Sequence, residues 1–480
     1  MDTSLEKRVG KNSLAIYVGR LANLGINLVA FVFLANYLGE SLYGRLSFVL
    51  TYVGFFDIVV NAGCNQILVR ELARAELRRE RVLGTGLWLR AASLGVGVVA
   101  CWVGIVALGY PKEVVYLVLI VSLNLLLSSR IASARSFFEA VFQAELRMMF
   151  PMALVLLDNL VFLILVLWGS RRGAGIVEIA FFYTLSNLGG FLLLAWRFFR
   201  DNPISWHFDR ELARSLLVQS VPVMLYLCFS NLNTRLDVLL VSLLRGDAEV
   251  GLYTSATRLV LPLTLLSTPI TMSLYPIYSR AYRSDPQLFA DVLSTGLKLL
   301  ALLGLALACG FFFNGEWVYR LLYRPEYAPA ARAFSLIMAA LALMFVTFYM
   351  VEILIGTNRQ HLATIVMMIV LISNVALNLV LVRRFGFAGA AYARLATALL
   401  SSSVLTYLVQ RHTRGHLLRD WPRVAAVVVI AWGVSIAVRP MSPPLQWPIL
   451  GASIAASVVL TGYFRPWERA LLLRFIGKSR

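Results

Sequence analysis

Charged side chains stand inside stretches of this chain that are otherwise apolar, and they are the residues equipped to do chemistry. Arg20, Arg90, Arg235, Arg258, Lys298, Arg332 and Arg394 are basic; Asp57, Asp158, Asp237 and Glu352 are acidic. A guanidinium offers a planar fork of donors that matches phosphate or pyrophosphate. Several basic groups converging from separate segments would form an anion site, and Arg20, Arg258, Arg235, Lys298 and Arg90 are the candidate phosphate ligands. Arg20 and Arg258 lie roughly two turns inside their segments, which favours that role over snorkelling to the interface. Arg90, Lys298, Arg332 and Arg394 lie nearer to segment ends and can reach the interface. Asp57, Asp158, Asp237 and Glu352 can act as counter-ions for the arginines or as sites for a coupling H+ or Na+. Arg235 and Asp237 are two positions apart and do not share a helix face, so each needs a partner on another helix.

The segments that carry these groups read as membrane spans. The chain has 480 residues, 59% hydrophobic and 14% charged, with mean hydropathy +0.76. A soluble domain is about 25% charged, and one of this size could not hide so much apolar surface. Spans of roughly 20 apolar residues fall at 13–38, 46–69, 85–108, 114–135, 149–169, 176–197, 215–243, 251–277, 293–314, 332–355, 361–382, 387–409, 423–439 and 447–463. About fourteen helices put both termini on one side. Most Lys and Arg between spans lie on the N-terminal side, which makes that side cytoplasmic; Arg171, Arg172, Arg383 and Arg384 run against the bias. The first apolar stretch is too long for a signal peptide and lacks a small-residue cleavage site, so it is expected to remain as a helix.

The net charge of +19 is scattered in short clusters between spans, a topology signal and not a nucleic-acid surface. Cys64, Cys101, Cys228 and Cys309 all lie in apolar spans, with neither disulfide nor zinc spacing. His412 and His416 have a metal-like spacing but no third ligand nearby, so no metal is expected. No nucleophile elbow, phosphate-binding glycine loop or exposed carboxylate cluster is present, so no enzyme and no cofactor are expected. Pro262, Pro269 and Pro276 are seven positions apart in the eighth span and would bend it along one face.

The sequence repeats weakly. Tyr43 and Tyr253 stand 210 positions apart, the starts of Leu156-Leu157-Asp158-Asn159 and Leu371-Ile372-Ser373-Asn374 stand 215 apart, and Arg171-Arg172-Gly173 precedes Arg383-Arg384-Phe385-Gly386 by 212. Such offsets match six helices plus loops. Six is even, so the copies are parallel. The expected organisation is an N-terminal six-helix lobe over 1–205, a second over 206–412, and helices thirteen and fourteen with a basic cytoplasmic tail over 413–480.

Four stretches resemble the polysaccharide (O-antigen type) flippases of the multidrug/oligosaccharidyl-lipid/polysaccharide exporter superfamily. They are Leu38-Gly39 and Tyr43-Gly44 through Asn61-Ala62-Gly63 to Val69-Arg70-Glu71-Leu72; Phe142 to Met148; Ser220-Val221-Pro222 through Arg235-Leu236-Asp237 to Val250-Gly251-Leu252-Tyr253, Ala256 and Arg258; and Tyr323 with Glu326-Tyr327, Gly356 to Arg359, Asn374, Asn378, Phe385-Gly386 and Gly389-Ala390-Ala391. The resemblance covers helices one to twelve. It implies two six-helix bundles in a V that opens to one side at a time, and movement of an isoprenoid-pyrophosphate-linked glycan from the cytoplasmic to the outer leaflet. Related lipid II flippases use arginines on helices one and eight, which the resemblance carries to Arg20 and Arg258. An acidic residue on helix one, typical of some relatives, is missing, since Leu21 follows Arg20.

The expected protein is therefore an all-α, multi-pass flippase of the plasma or inner membrane. Its partners would be the lipid-linked oligosaccharide, membrane lipids, and a glycan polymerase or glycosyltransferases. A multidrug or cation exporter of the same fold would want an acidic or aromatic cavity, which the excess of arginine disfavours. A glycan polymerase would need a sizeable outer loop, and the longest here, Gly315 to Pro329, is short. A transport-inactive scaffold of a glycan assembly complex is the remaining alternative.

Overall fold

The computed structural model describes residues 3–61, 64–74, 78–131, 133–413, 421–465 and 468, and among them every regular element is helical. By its internal contacts the chain forms two units, Met1–Gly251 and Leu252–Arg480. The first holds α1 (Thr3–Phe55), α2 (Asp57–Asn61), α3 (Cys64–Arg74), α4 (Arg79–Ala107), α5 (Lys112–Ser122), α6 (Asn124–Leu127), α7 (Arg135–Ala144), α8 (Met149–Arg171), α9 (Ile176–Leu185), α10 (Leu188–Asp201) and α11 (Arg210–Arg245). The boundary falls within α12 (Asp247–Val260). The second holds α13 (Thr268–Ser284), α14 (Pro286–Phe312), α15 (Gly315–Leu322), α16 (Ala330–Gly356), α17 (Gln360–Phe385), α18 (Phe387–Thr413), α19 (Trp421–Ala437) and α20 (Pro443–Leu460). This division by packing is separate from the duplication expected in 1–205 and 206–412.

Among the described residues, eleven helices are long and apolar enough to cross a membrane, against fourteen expected spans. Three local features account for the difference. Helices one and two form one 43-residue stretch, Gly19–Asn61. At about 1.5 Å per residue that stretch is long enough to cross twice. The expected helix 114–135 is instead broken into α5, α6 and α7. The thirteenth is short, Pro422–Ala437. The break in the fourth follows from its polar run: Ser128 is extended, at φ −72° and ψ 139°, and the Ser133 hydroxyl donates to the Ser128 carbonyl at 2.5 Å.

Glycines open two junctions between helices. Gly39, between helices one and two, has φ 75° and ψ 170°; Gly246, between α11 and α12, has φ 87° and ψ −174°. That region is open essentially to glycine alone, so the two junctions share one unusual conformation.

The eighth helix is interrupted. Between α12 and α13 lies a 3₁₀ stretch, Leu261–Ser267, headed by Pro262. Pro269 sits in the first turn of α13, and Pro276 lies inside it. A proline at a helix start costs little because the missing N–H would be unpaired there, so two of the three prolines fix boundaries and only Pro276 removes an interior bond.

Each unit packs through what its sequence offers. In the first, Phe198 of α10 meets Phe137 of α7 at a tilt and Phe138 edge-on, at 5.8 and 4.9 Å between ring centres. In the second, α14, α16 and α18 approach through small residues such as Gly304 and Ala342. Lipid provides no hydrophobic force between helices, so close backbone contact replaces it.

Candidate site: buried charges within the helix bundles

In the first unit the break between α6 and α7 places Arg130 inside the helix bundle. Its Nε donates to Asn159 Oδ1 at 2.8 Å, and Nη2 donates to the Asp158 carbonyl at 3.3 Å. The guanidinium lies 5.0 Å from the Phe162 ring centre and 4.7 Å from that of Tyr183. Asn159 Nδ2 donates in turn to Asn23 Oδ1 at 3.0 Å. Asn23 stands three positions beyond Arg20 on α1, so the two share a helix face. Arg20 is exposed and has no ion pair or hydrogen bond among the described residues. A polar chain thus runs from Arg20 past Asn23 and Asn159 to Arg130, whose hydrogen-bond acceptors among the described residues are neutral oxygens. Arg130 escaped the sequence reading because the broken fourth helix looked like a continuous span ending near a basic turn.

Asp158 does not serve Arg130 with its carboxylate. It pairs with Arg135 at 2.5 Å, and both side chains are essentially inaccessible, at 1% and 0%. Glu139, one turn along α7, lies 3.3 Å from Arg135 Nε.

Arg235 and Asp57 meet at 2.9 Å, so the expected partner for Arg235 on another helix exists. Asp57 opens α2 and is buried, while Arg235 keeps 22% of its side chain exposed. A Cβ at Gly54 would come within 2.7 Å of Arg235 Nη1, so the glycine makes room for the fork. Asp237, two positions on, is fully buried.

Arg90 is also buried, but it closes a helix end. Its Nη1 donates to the Val60 carbonyl at 2.7 Å and the Ser93 hydroxyl donates to the same oxygen at 2.9 Å. Val60 lies at the C-terminal end of α2, where carbonyls lack helical partners.

In the second unit Arg258 is half-buried in the last turn of α12, just before the 3₁₀ interruption. Glu352 of α16 is half-buried. Lys298 of α14 is spent elsewhere: Nζ donates to both carboxylate oxygens of Glu468 at 2.8 and 2.9 Å. The Ser294 hydroxyl and the Arg465 amide also donate to Glu468, at 2.9 and 2.7 Å. With Lys298 1% and Glu468 0% exposed, this ammonium offers nothing to a ligand in this arrangement, and we read it as a packing group. The expectation for Lys298 as a phosphate ligand missed Glu468 because the partner lies 170 positions away, beyond the last span.

A matching lock closes the other end of α14. Asn314 Nδ2 donates to Gln446 Oε1 at 2.8 Å, and Trp447 Nε1 donates to the Gly310 carbonyl at 3.1 Å. α20 and the segment that follows it are therefore fastened to both ends of α14. Among the described residues no cluster suited to a metal occurs; His416, Ala62, Gly63 and the basic tail 469–480 lie outside them.

These features define a multi-pass membrane protein with the fold of the MOP-superfamily transporters. The chain belongs to the polysaccharide biosynthesis protein family, whose model matches residues 9–282. The MatE model matches residues 222–380. A lipid II flippase, MurJ, in an inward closed conformation has TM-score 0.73 at 13% identity, covering 97% of this chain and 99% of that one. An inward-facing multidrug resistance MATE family transporter of the MOP superfamily has TM-score 0.64 at 17% identity over 82% and 98%. A MOP superfamily transporter from Pyrococcus furiosus has TM-score 0.54 at 14% identity over 84% and 96%. No curated protein matches the chain.

Proposed function

We propose that the protein flips an isoprenoid-(pyro)phosphate-linked oligosaccharide from the cytoplasmic to the outer leaflet by alternating access. The observation that carries this is Arg20, exposed on α1 and without an ion pair or hydrogen bond among the described residues, one turn from a chain of neutral polar groups that ends at Arg130. Arg258 and Arg235 complete the candidate phosphate ligands. Arg90 and Lys298 belong to packing in this reading. A glycan headgroup cannot cross hydrocarbon unaided, because each unpaired polar group costs about several kcal/mol there. Cationic forks between helices hold the phosphates, asparagines and serines suit the sugar, and the isoprenoid stays in lipid. No bond is broken. Asp57, Asp158, Asp237 and Glu352 are candidates for H+ or Na+ coupling or for counter-ions, both termini are cytoplasmic, and the membrane is the plasma or inner membrane. Glycan polymerases or glycosyltransferases would supply or take the substrate.

Reconstitution with labelled lipid-linked oligosaccharide tests the reading. Arg20→Ala and Arg258→Ala should each abolish flipping while leaving folded protein in the membrane; wild-type rates in both would remove the phosphate clamp. The MatE match over 222–380 favours a second reading, export of organic cations. Uptake of a cationic dye by the same vesicles, with no movement of lipid-linked glycan, would establish it instead.

A further inference from the structure

α16 and α18 leave a groove of about 430 Å³ in the second unit. That is within the ~300–1,000 Å³ typical of small-molecule sites. The sequence of α18 makes it: Ser402, Ser403 and Thr406 are small where a span normally carries leucine, and Leu343 and Val346 of α16 form the facing wall. The Thr347 and Ser401 hydroxyls bond at 3.0 Å and hold the two helices together beside it. The Ser402 hydroxyl donates back to the Leu399 carbonyl at 3.1 Å, so its donor is already used. From Ser402 to Arg411 the lining runs about 14 Å along the helix at 1.5 Å per residue, a length suited to an acyl chain.

The groove ends in polarity. Tyr407, Gln410 and Arg411 line its end in the last turns of α18, and Arg411 is exposed. Arg411 Nη1 donates to the Tyr407 hydroxyl at 3.4 Å, and no carboxylate pairs with Arg411 among the described residues. One amphiphile fits this order of groups: an apolar tail followed by an anionic head. Basic pockets between membrane helices take lipid headgroups of that charge.

We propose that the groove between α16 and α18 is a binding site for one anionic phospholipid, with its phosphate at Arg411 and Gln410 and one acyl chain along Leu343, Val346 and Thr406. The occupant is a bulk membrane lipid, separate from the flipped substrate, and the site does not depend on the reading of that substrate.

Native mass spectrometry and thermal unfolding of the purified full chain in a neutral detergent test it. Phosphatidylglycerol, phosphatidylcholine, inorganic phosphate and a polyprenyl phosphate are added separately. Phosphatidylglycerol should remain bound in a one-to-one complex and raise the unfolding temperature, and phosphatidylcholine and inorganic phosphate should not. Arg411→Gln should weaken phosphatidylglycerol binding about fivefold, the worth of one basic residue at an anionic lipid surface. Ser403→Leu, at an exposed position, should fill the groove and abolish the complex without loss of folded protein. Equal retention of both phospholipids, or undiminished phosphatidylglycerol binding in both variants, would mean annular lipid and overturn the site. A temperature shift reproduced by inorganic phosphate, or preference for the polyprenyl phosphate over phosphatidylglycerol, would overturn the assignment to a phospholipid.

Discussion

Two ion pairs of nearly equal length lie in the two units and differ in how far they are sealed. Arg235 meets Asp57 at 2.9 Å in the first; Lys298 meets Glu468 at 2.8 Å in the second. The second pair is sealed. Both carboxylate oxygens are used, further donors come from Ser294 and the Arg465 amide, and the Tyr463 hydroxyl donates to the Lys298 carbonyl at 2.9 Å. The first pair is less sealed: its guanidinium keeps 22% of the side chain accessible, and its Nη1, itself buried, has no hydrogen-bond partner among the described residues. A sealed pair fixes where a segment docks, whereas an open one can exchange its partner for a ligand's phosphate. Charge inside a membrane protein is thus not by itself a sign of transport; spare hydrogen-bonding capacity and access distinguish the two.

The largest effect should come from cutting the sealed pair. Glu468→Ala leaves a buried ammonium without a counter-ion and should cost about 3–5 kcal/mol, read as lower thermal stability in detergent. Replacing both partners, Lys298→Met with Glu468→Leu, should restore most of that stability, because an apolar pair of similar volume is often neutral. The double variant should also flip its substrate. A well-folded double variant that cannot flip would return Lys298 to the transport path and erase the contrast.

Arg235→Ala should have the smaller stability cost, about 1–3 kcal/mol for a buried carboxylate left short of a partner, but should abolish flipping. Arg235→Lys keeps the charge without the fork and should fall between the two in vesicle assays. If Arg235→Ala destabilises as strongly as Glu468→Ala and transports normally per folded molecule, the open pair is packing as well.

The smallest effect concerns the loop that leads into α11. Asp209 caps that helix, accepting from the Leu212 amide at 3.1 Å, and Arg81 pairs with it. The amide bond first, and the guanidinium with it, hold the Asp209 carboxyl below its usual range. A depressed carboxyl contributes stability that is present above its unfolded pKa, about 3.9, and is lost as pH falls through the folded value. Asp209→Asn should therefore flatten a slight acid-side decline below about pH 4 and leave neutral pH nearly unchanged. An unchanged acid limb in the variant would assign that decline to other groups.

How much of this was legible depended on the range of the interaction. Span positions follow from local apolarity, whereas the positive-φ junctions at Gly39 and Gly246 show only in the folded backbone. The partner of Arg235 was expected on another helix, but nothing local singles out Asp57, which lies 178 positions away. Arg90 looked like a candidate anion ligand because its target is a backbone carbonyl, and carbonyls leave no mark in a sequence. Arg130 was hidden by the break before α7, since serines such as Ser128 and Ser133 are tolerated inside a span and only their bonds back to the chain reveal the interruption.

The sequence by itself determined that this chain is a helical membrane protein and where most of its helices run. Apolar length and charge cost act residue by residue and need no folded partner to be read. Only the tertiary structure decided which cations are spent and which are available. That choice is made by oxygens brought in from remote parts of the chain, and a charge in low dielectric is defined by whatever stands within a few ångströms of it.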